Sequence, residues 1–203
     1  MIDLLEEFIG SCVPRETFLQ LERYTTLLAE ASQSQNLVSS STLSELWPRH
    51  IFDSAQLMRH GRQGGSWVDV GSGAGLPGII LAILSHDPTT LIEPRRLRVG
   101  FLQAVIERLG LTNVTILPGK ASVTTAKFET ITARAVAPMS EFLALAHHLS
   151  RPDTVWVLPK GRSAQKELDE TRRAWQGEFR LEPSLTDPQA SILIARDVRR
   201  RDR

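Results

Sequence analysis

The sequence predicts an α/β protein built on a mostly parallel sheet, and three observations predict it. From residue 66 onward, short apolar runs alternate with stretches of helical period, the pattern of successive strand–helix–strand units. The first of those runs, Trp67 to Val70, passes into a glycine-rich turn and then an apolar helix. Residues 1–60 carry only helical spacing, so they form a helical N-terminal extension to a domain over 61–203, the whole being one compact unit.

Taken in order, residues 3–10 and 15–31 read as helices. In the second, Phe18, Leu21, Tyr24, Thr25 and Leu28 recur at helical spacing, and Pro14 precedes it as a start signal. Ser32 to Ser41 is a polar, serine-rich loop that carries Asn36-Leu37-Val38. Thr42 to Arg59 reads as a helix with Leu43, Leu46, Trp47, His50, Ile51, Ser54 and Leu57 near one stripe. Pro48 is tolerated there only close to the helix start. Gly61, Gly64 and Gly65 then break the chain. Strands follow at 67–70, 90–93, 114–117, 129–135 and 154–158. Helices lie between them at 76–84, 95–109, 139–149 and, after the last, 164–175. Gly110 closes the helix before it. Phe179 to Pro183 and Ser191 to Ala195 pair as an antiparallel end.

Composition bounds the function. At 203 residues, 41% hydrophobic and 23% charged, the chain can bury a core without staples and is not a disordered polymer. Its single cysteine, Cys12, excludes a disulfide framework and a cysteine-rich zinc site, and reads as a small apolar residue. The longest apolar run, Ile79 to Leu84, is far short of the roughly 20 residues that span a membrane. The acidic start, Met1 to Glu7, has no basic segment of a secretory signal. The expectation is a cytoplasmic protein with no membrane partner and no metal; His147-His148 reads as helix surface, not as a ligand pair. Net charge is +1, which by itself says little about nucleic acid. Only Lys120, Lys127, Lys160 and Lys166 are lysines among 24 basic residues, so arginine carries most of the positive charge. Trp47, Trp67, Trp156 and Trp175 read as core rather than as platforms for bases.

The sharpest feature is Asp69-Val70-Gly71-Ser72-Gly73-Ala74-Gly75-Leu76-Pro77-Gly78. Glycines permit positive φ and close approach of a ligand to backbone, and amides at a helix start can face an anion or polar group. A dinucleotide fingerprint needs a third glycine where Leu76 stands. A phosphate-cradling loop needs a lysine after Gly78, and none is there. The remaining pattern, an acid followed by G-x-G-x-G after the first strand, is that of an S-adenosylmethionine turn. Asp69, Gly71, Gly73 and Gly75 match it throughout. A second acid belongs at the end of the next strand to take ribose hydroxyls, and Glu93 stands there.

With these residues in view, the sequence resembles the RsmG (GidB) methyltransferases. The resemblance runs through Asn36-Leu37, Arg49-His50-Ile51-Phe52-Asp53-Ser54, Gly71 to Gly78 and Arg98 to Leu102. It continues in Ala133-Arg134-Ala135-Val136-Ala137 and Leu158-Pro159-Lys160-Gly161. It implies a class I, Rossmann-like, S-adenosylmethionine-dependent methyltransferase fold with a seven-stranded, mostly parallel sheet and helices on both faces. The activity implied is methylation of N7 of a guanine in 16S ribosomal RNA, guanine 527 in conventional numbering, on the RNA or the small ribosomal subunit. The expected state is a monomer. Carried over residue by residue, Gly71, Leu76, Glu93, Ala121, Ser122 and Arg134 would touch the cofactor. Asn36, Arg49, His50 and Lys160 would face RNA.

Guanine N7 presents an in-plane lone pair and no proton, so no general base is required. The enzyme must hold nucleophile, methyl carbon and sulfur in line. Arg134, Asp53 and His50 are the candidates beside the methyl group. A bidentate arginine on N7 and O6 would block the nucleophile, so Arg134 is expected on O6, a phosphate or the cofactor carboxylate. Asp53 can offset the positive charge that methylation leaves on the purine. His50 and Asp53, three apart, can share a helix face, with His50 packed and Asp53 its partner. Two other readings remain open: a class I methyltransferase for a small-molecule or protein acceptor, and a non-catalytic cofactor-binding module for RNA or the ribosome.

Overall fold

The computed structural model describes residues 1–201. Seven strands form one sheet in the order β3-β2-β1-β4-β5-β7-β6. They are β1 (Trp67–Val70), β2 (Thr89–Glu93), β3 (Val114–Pro118), β4 (Phe128–Thr132), β5 (Ser150–Lys160), β6 (Trp175–Pro183) and β7 (Ser191–Arg200). The first five run parallel, with Val68 beside Thr90 on one side and Ile131 on the other. β7 runs antiparallel between β5 and β6. Strand order reverses between β1 and β4, and the crevice beyond such a reversal is where open α/β sheets bind ligands.

All four residues of β1 are buried, as expected of a strand covered on both faces. One cover is made by α1 (Ile2–Ile9), α2 (Arg15–Ser32), α4 (Gly78–Ser85) and α5 (Arg96–Leu109), whose Leu5, Leu21, Leu28, Ile79, Ile80 and Phe101 share one apolar cluster. The other is made by α6 (Met139–Ala146) and α7 (Ala164–Thr171), with Phe142 and Leu168 against Trp156 and Trp175. The run Ile79 to Leu84 is apolar on every side because α4 lies between the sheet and α2, a helix buried all round. No helix is long and apolar enough to cross a membrane among the described residues. Trp67, Trp156 and Trp175 are core, as expected, while Trp47 is half-buried against Phe18 and Phe52.

Three sequence expectations are corrected. The helix expected over 42–59 is four short pieces: a 3-10 turn (Ser40–Glu45), a π turn (Trp47–Phe52), one α turn, α3 (Asp53–Ala55), and a 3-10 turn (Gln56–Arg59). Pro48 has no N–H for the ladder, and Ser39 and Thr42 spend hydroxyls on local bonds that compete with it. Trp175 is not the end of a helix but the first residue of β6, where it fills the core beneath α6. Cys12 is exposed, not packed, and the Glu6 carboxylate beside it raises its thiol pKa.

The N-terminal helices also reach the glycine turn. The Tyr24 hydroxyl, fully buried on α2, donates to the Ala74 carbonyl at 2.8 Å. Burial pushes that phenol's pKa far above its ordinary 10, so it stays a donor. Tyr24→Phe removes the donor and little else. The expected cost is about 1 kcal/mol of stability, with weaker cofactor binding, because a buried carbonyl loses its partner. Denaturant melts and cofactor titration check it; unchanged affinity and stability would sink this role for Tyr24.

Candidate functional site

The site forms where the turns after β1 and β4 meet. Gly71, Gly73 and Gly75 have φ of +76°, +59° and +90°, the left-handed region that glycine tolerates. Gly78, where α4 starts, serves a different purpose. A Cβ there would lie 2.4 Å from Leu91 Cδ2 and 2.7 Å from Asp69 Oδ2, so α4 touches β1 and β2 only because that position is glycine.

Most of the turn's amides are spent inside the protein, against the expectation that they face a ligand. Gly71 and Ser72 N–H donate to the Ile92 carbonyl at 2.7 and 3.1 Å. Gly73 N–H donates to Glu93 Oε2 at 2.7 Å, and Gly78 N–H to Asp69 Oδ2 at 3.0 Å. Such a turn offers Cα atoms for close approach rather than an anion hole.

Glu93 ends β2, buried, and its other oxygen takes Arg95 N–H at 2.8 Å. Each oxygen accepts one amide and keeps a second lone pair, as ribose hydroxyls require. Gly119 N–H donates to the Glu93 carbonyl at 3.0 Å, which brings the end of β3 alongside. Ala121 is buried just beyond it, its carbonyl accepting from His148 Nε2 at 3.0 Å, and Ser122 is exposed. His147 donates from Nε2 to the Val198 carbonyl. Both histidines are thus half-buried braces, not helix surface, and no metal-ligating cluster occurs among the described residues.

Asp69 is the buried acid of the turn. Its Oδ1 has no hydrogen-bond partner, and burial pushes its pKa up to about 7 against the pull of the Gly78 amide and Arg134. An orphaned buried oxygen beside three positive-φ glycines fits a ligand with a polar or cationic group at this turn. Leu76 is buried and closes the turn from within.

Beyond β4 the chain turns through Ala135, whose φ is +55°. Val136 then lies over the glycine turn: a Cβ on Gly71 would be 2.7 Å from Val136 Cγ2. Arg134 lines a cavity of about 720 Å³, large enough for a nucleotide. Its Nη1 donates to His50 Nδ1 at 3.2 Å and pairs with Asp53 Oδ2 at 3.5 Å. A guanidinium only donates, so Nδ1 is an acceptor and Nε2–H donates to Thr42 Oγ1 at 3.0 Å. Burial, then Arg134 and Arg49, lower the His50 pKa from 6.5 to about 4, so the ring is neutral near pH 7. His50 and Asp53 do share a face, but Arg134 joins them; neither is the other's partner.

Arg49 is exposed on the cavity's rim. Lys160 lines the cavity too, but is only 12% exposed and pairs with Glu167 at 3.0 Å. Asn36 is exposed just outside, while its neighbours Leu37 and Val38 line the wall. Sequence reasoning missed Tyr24, Gln56, Ser184 and Thr186. Gln56 is buried, donates to Asp53 Oδ1 and Ser184 Oγ, and accepts Leu185 N–H at 2.8 Å. Thr186 donates to Asp53 Oδ1 at 2.9 Å. The turn between β6 and β7 is thereby fastened to Asp53. A polar residue, Gln56, within the otherwise apolar Ala55-Gln56-Leu57-Met58 was the one available signal.

Comparison with known proteins bears on this arrangement. A family model described as rRNA small subunit methyltransferase G (GidB) matches residues 18–188. A ribosomal RNA small subunit methyltransferase G of Zymomonas mobilis is 44% identical over 204 residues, covering 96% of this chain and 91% of the relative. One of Rhizorhabdus wittichii is 41% identical over 199 residues, covering 96% and 92%. Among solved structures, a mutant of MtNAS in complex with S-adenosylmethionine has a TM-score of 0.59 at 19% identity, covering 88% of this chain and 75% of that one. M. jannaschii TYW2 in complex with AdoMet has a TM-score of 0.55 at 14% identity, covering 81% and 78%. The structural likeness, with the strand order, shows a class I, Rossmann-like methyltransferase fold.

Proposed function

The chain belongs to the rRNA small subunit methyltransferase G family, and on that premise we propose that it methylates N7 of a guanine in 16S ribosomal RNA, using S-adenosylmethionine. The observation that carries the choice of nucleophile is the state of His50. It is neutral, and its one lone pair is given to Arg134. The histidine beside Arg134 is therefore not available as a base, which supports an acceptor with no proton to lose. Guanine N7 is such an acceptor.

S-adenosylmethionine, when bound, supplies an electrophilic methyl group on a sulfonium. The chain's residues bind and orient. Glu93 takes the ribose hydroxyls, and Asp69, Gly71, Gly73, Gly75 and Leu76 form the wall for the amino acid end. Ala121 and Ser122 flank the adenine side. Arg134 holds the base from O6 or a phosphate and leaves N7 open. Asp53, fixed by Arg134, Gln56 and Thr186, offsets the charge that appears on the purine as N7 gains the methyl. Arg49 on the rim, with His50, Asn36 and Lys160, meets the RNA; phosphate contacts of this kind make affinity salt-dependent. A monomer is the state this reading proposes. A ribosomal substrate supports action in the cytoplasm.

The test is transfer of labelled methyl from S-adenosylmethionine to rRNA, or to small subunits, from cells that lack this chain. The expected product nucleoside is 7-methylguanosine, formed at a rate that falls steeply with salt. Label in another nucleoside, or none with the cofactor bound, would overturn the assignment and favour a small-molecule or protein acceptor.

A further inference from the structure

The cavity below Arg134 is lined by three carboxylates, those of Asp53, Glu167 and Asp187. Two are committed. Asp53 holds Arg134, Gln56 and Thr186. Glu167 takes Lys160, Ser163 Oγ and the Met139 amide. Asp187 is different. Its Oδ1 accepts only the neighbouring Gln189 N–H at 2.9 Å, and among the described residues it is the one cavity carboxylate that no cation or other side chain engages. The turn that carries it is fastened just before Asp187, where Gln56 accepts Leu185 N–H and Asp53 accepts the Thr186 hydroxyl. Ala190 N–H also closes onto the Asp187 carbonyl at 2.9 Å. Half-buried, Asp187 lines the same cavity as Arg49, Arg134 and Lys160.

Guanine carries its acceptors, N7 and O6, on one edge and its donors, N1–H and the 2-amino group, on another. A carboxylate can accept both donors side by side, as it does a guanidinium. A base whose N7 points at the methyl donor beside Arg134 turns its N1 and 2-amino edge to another part of the lining, where Asp187 lies. We propose that Asp187 reads that edge and selects guanine over adenine, which presents no donor at N1 and no 2-amino group. The proposal rests on the guanine-N7 reading above. No bond is made or broken by Asp187; it is a specificity residue that touches the substrate base.

The experiment compares reconstituted small subunits carrying guanosine or inosine at the methylated position. Inosine keeps N7, O6 and N1–H and lacks only the 2-amino group. The parent is expected to lose tenfold or more in kcat/KM on inosine. Asp187→Ala is expected to lose at least as much on guanosine and to show little further loss on inosine. Asp187→Asn keeps an oxygen for Gln189 N–H and controls for the turn's shape; it is expected to retain cofactor affinity and Tm and still discriminate less than the parent. An unchanged guanosine-to-inosine ratio in both variants would overturn the proposal while leaving N7 methylation intact. Failure of the parent to form 7-methylguanosine at all would remove the reading on which it rests.

Discussion

Gly71→Asp is expected to abolish methyl transfer in a protein that still folds. Gly71 has φ +76°, where a side chain costs about 1–2 kcal/mol, less for Asp than for most residues. The new Cβ would meet Val136 Cγ2 at 2.7 Å, but Val136 is a partly exposed loop residue that can give way. The fold therefore loses a few degrees in Tm, at roughly 2–4 °C per kcal/mol for a chain of this size. The carboxylate, however, enters the space between the glycine turn and Val136, next to the buried oxygens of Asp69. Cofactor affinity should fall by about 100-fold or more, about 2.7 kcal/mol. Gly71→Ala carries the same Cβ without the charge, at a backbone strain no smaller, and is expected to bind the cofactor better than Gly71→Asp. Calorimetric titration with S-adenosylmethionine, beside a thermal melt, measures both. Parent-like affinity in Gly71→Asp would remove the turn from the cofactor site.

Arg134→Ala is the second large effect. It strips a donor from His50 Nδ1 and a cation from Asp53, while Asp53 keeps Gln56 and Thr186. Charge-assisted hydrogen bonds are worth about 1.5–3 kcal/mol, so kcat/KM should fall on the order of 10- to 100-fold. Cofactor affinity should change less, since the bonds lost are those to His50 and Asp53. A second readout is the His50 ring. Its pKa, about 4, lies below the ordinary 6.5, chiefly through burial and next through Arg134. The unfolded chain therefore takes up more protons between those values, and this part of the stability is lost as pH falls through the window. Without Arg134 the folded-state pKa rises, the window narrows from its acid side, and less stability is lost. Histidine NMR titration shows the shift. A kcat/KM within threefold of the parent would contradict the assigned role.

The parts of the fold that were legible are those written locally. The run into the glycine turn, the acid 22 residues after Gly71, and Gly110 closing α5 each depend on residues within one or two turns of chain. The segment 42–59 reads as one helix because its helical period is real, but its backbone ladder is interrupted by Pro48 and by serine and threonine hydroxyls. Helical spacing does not register either effect. The 164–175 helix ran too long for a related reason: Trp175 suits a helix face and a buried strand equally, and the core beneath α6 decided between them.

For the site, the sequence by itself determined the glycine turn proposed for the cofactor, the two acids beside it and the presence of Arg134 beyond β4. These follow from which residue types a strand, a positive φ or a ribose hydroxyl will accept. Only the tertiary structure decided who partners whom. Arg134 reaches His50 across 84 residues, Tyr24 reaches Ala74 across 50, and Gln56 reaches Ser184 across 128. A side-chain hydrogen bond spans only about 3 Å. Such pairs exist only once the sheet order has brought the ends of β1, β4 and the β6–β7 turn to one edge, and no periodicity along the chain encodes that distance.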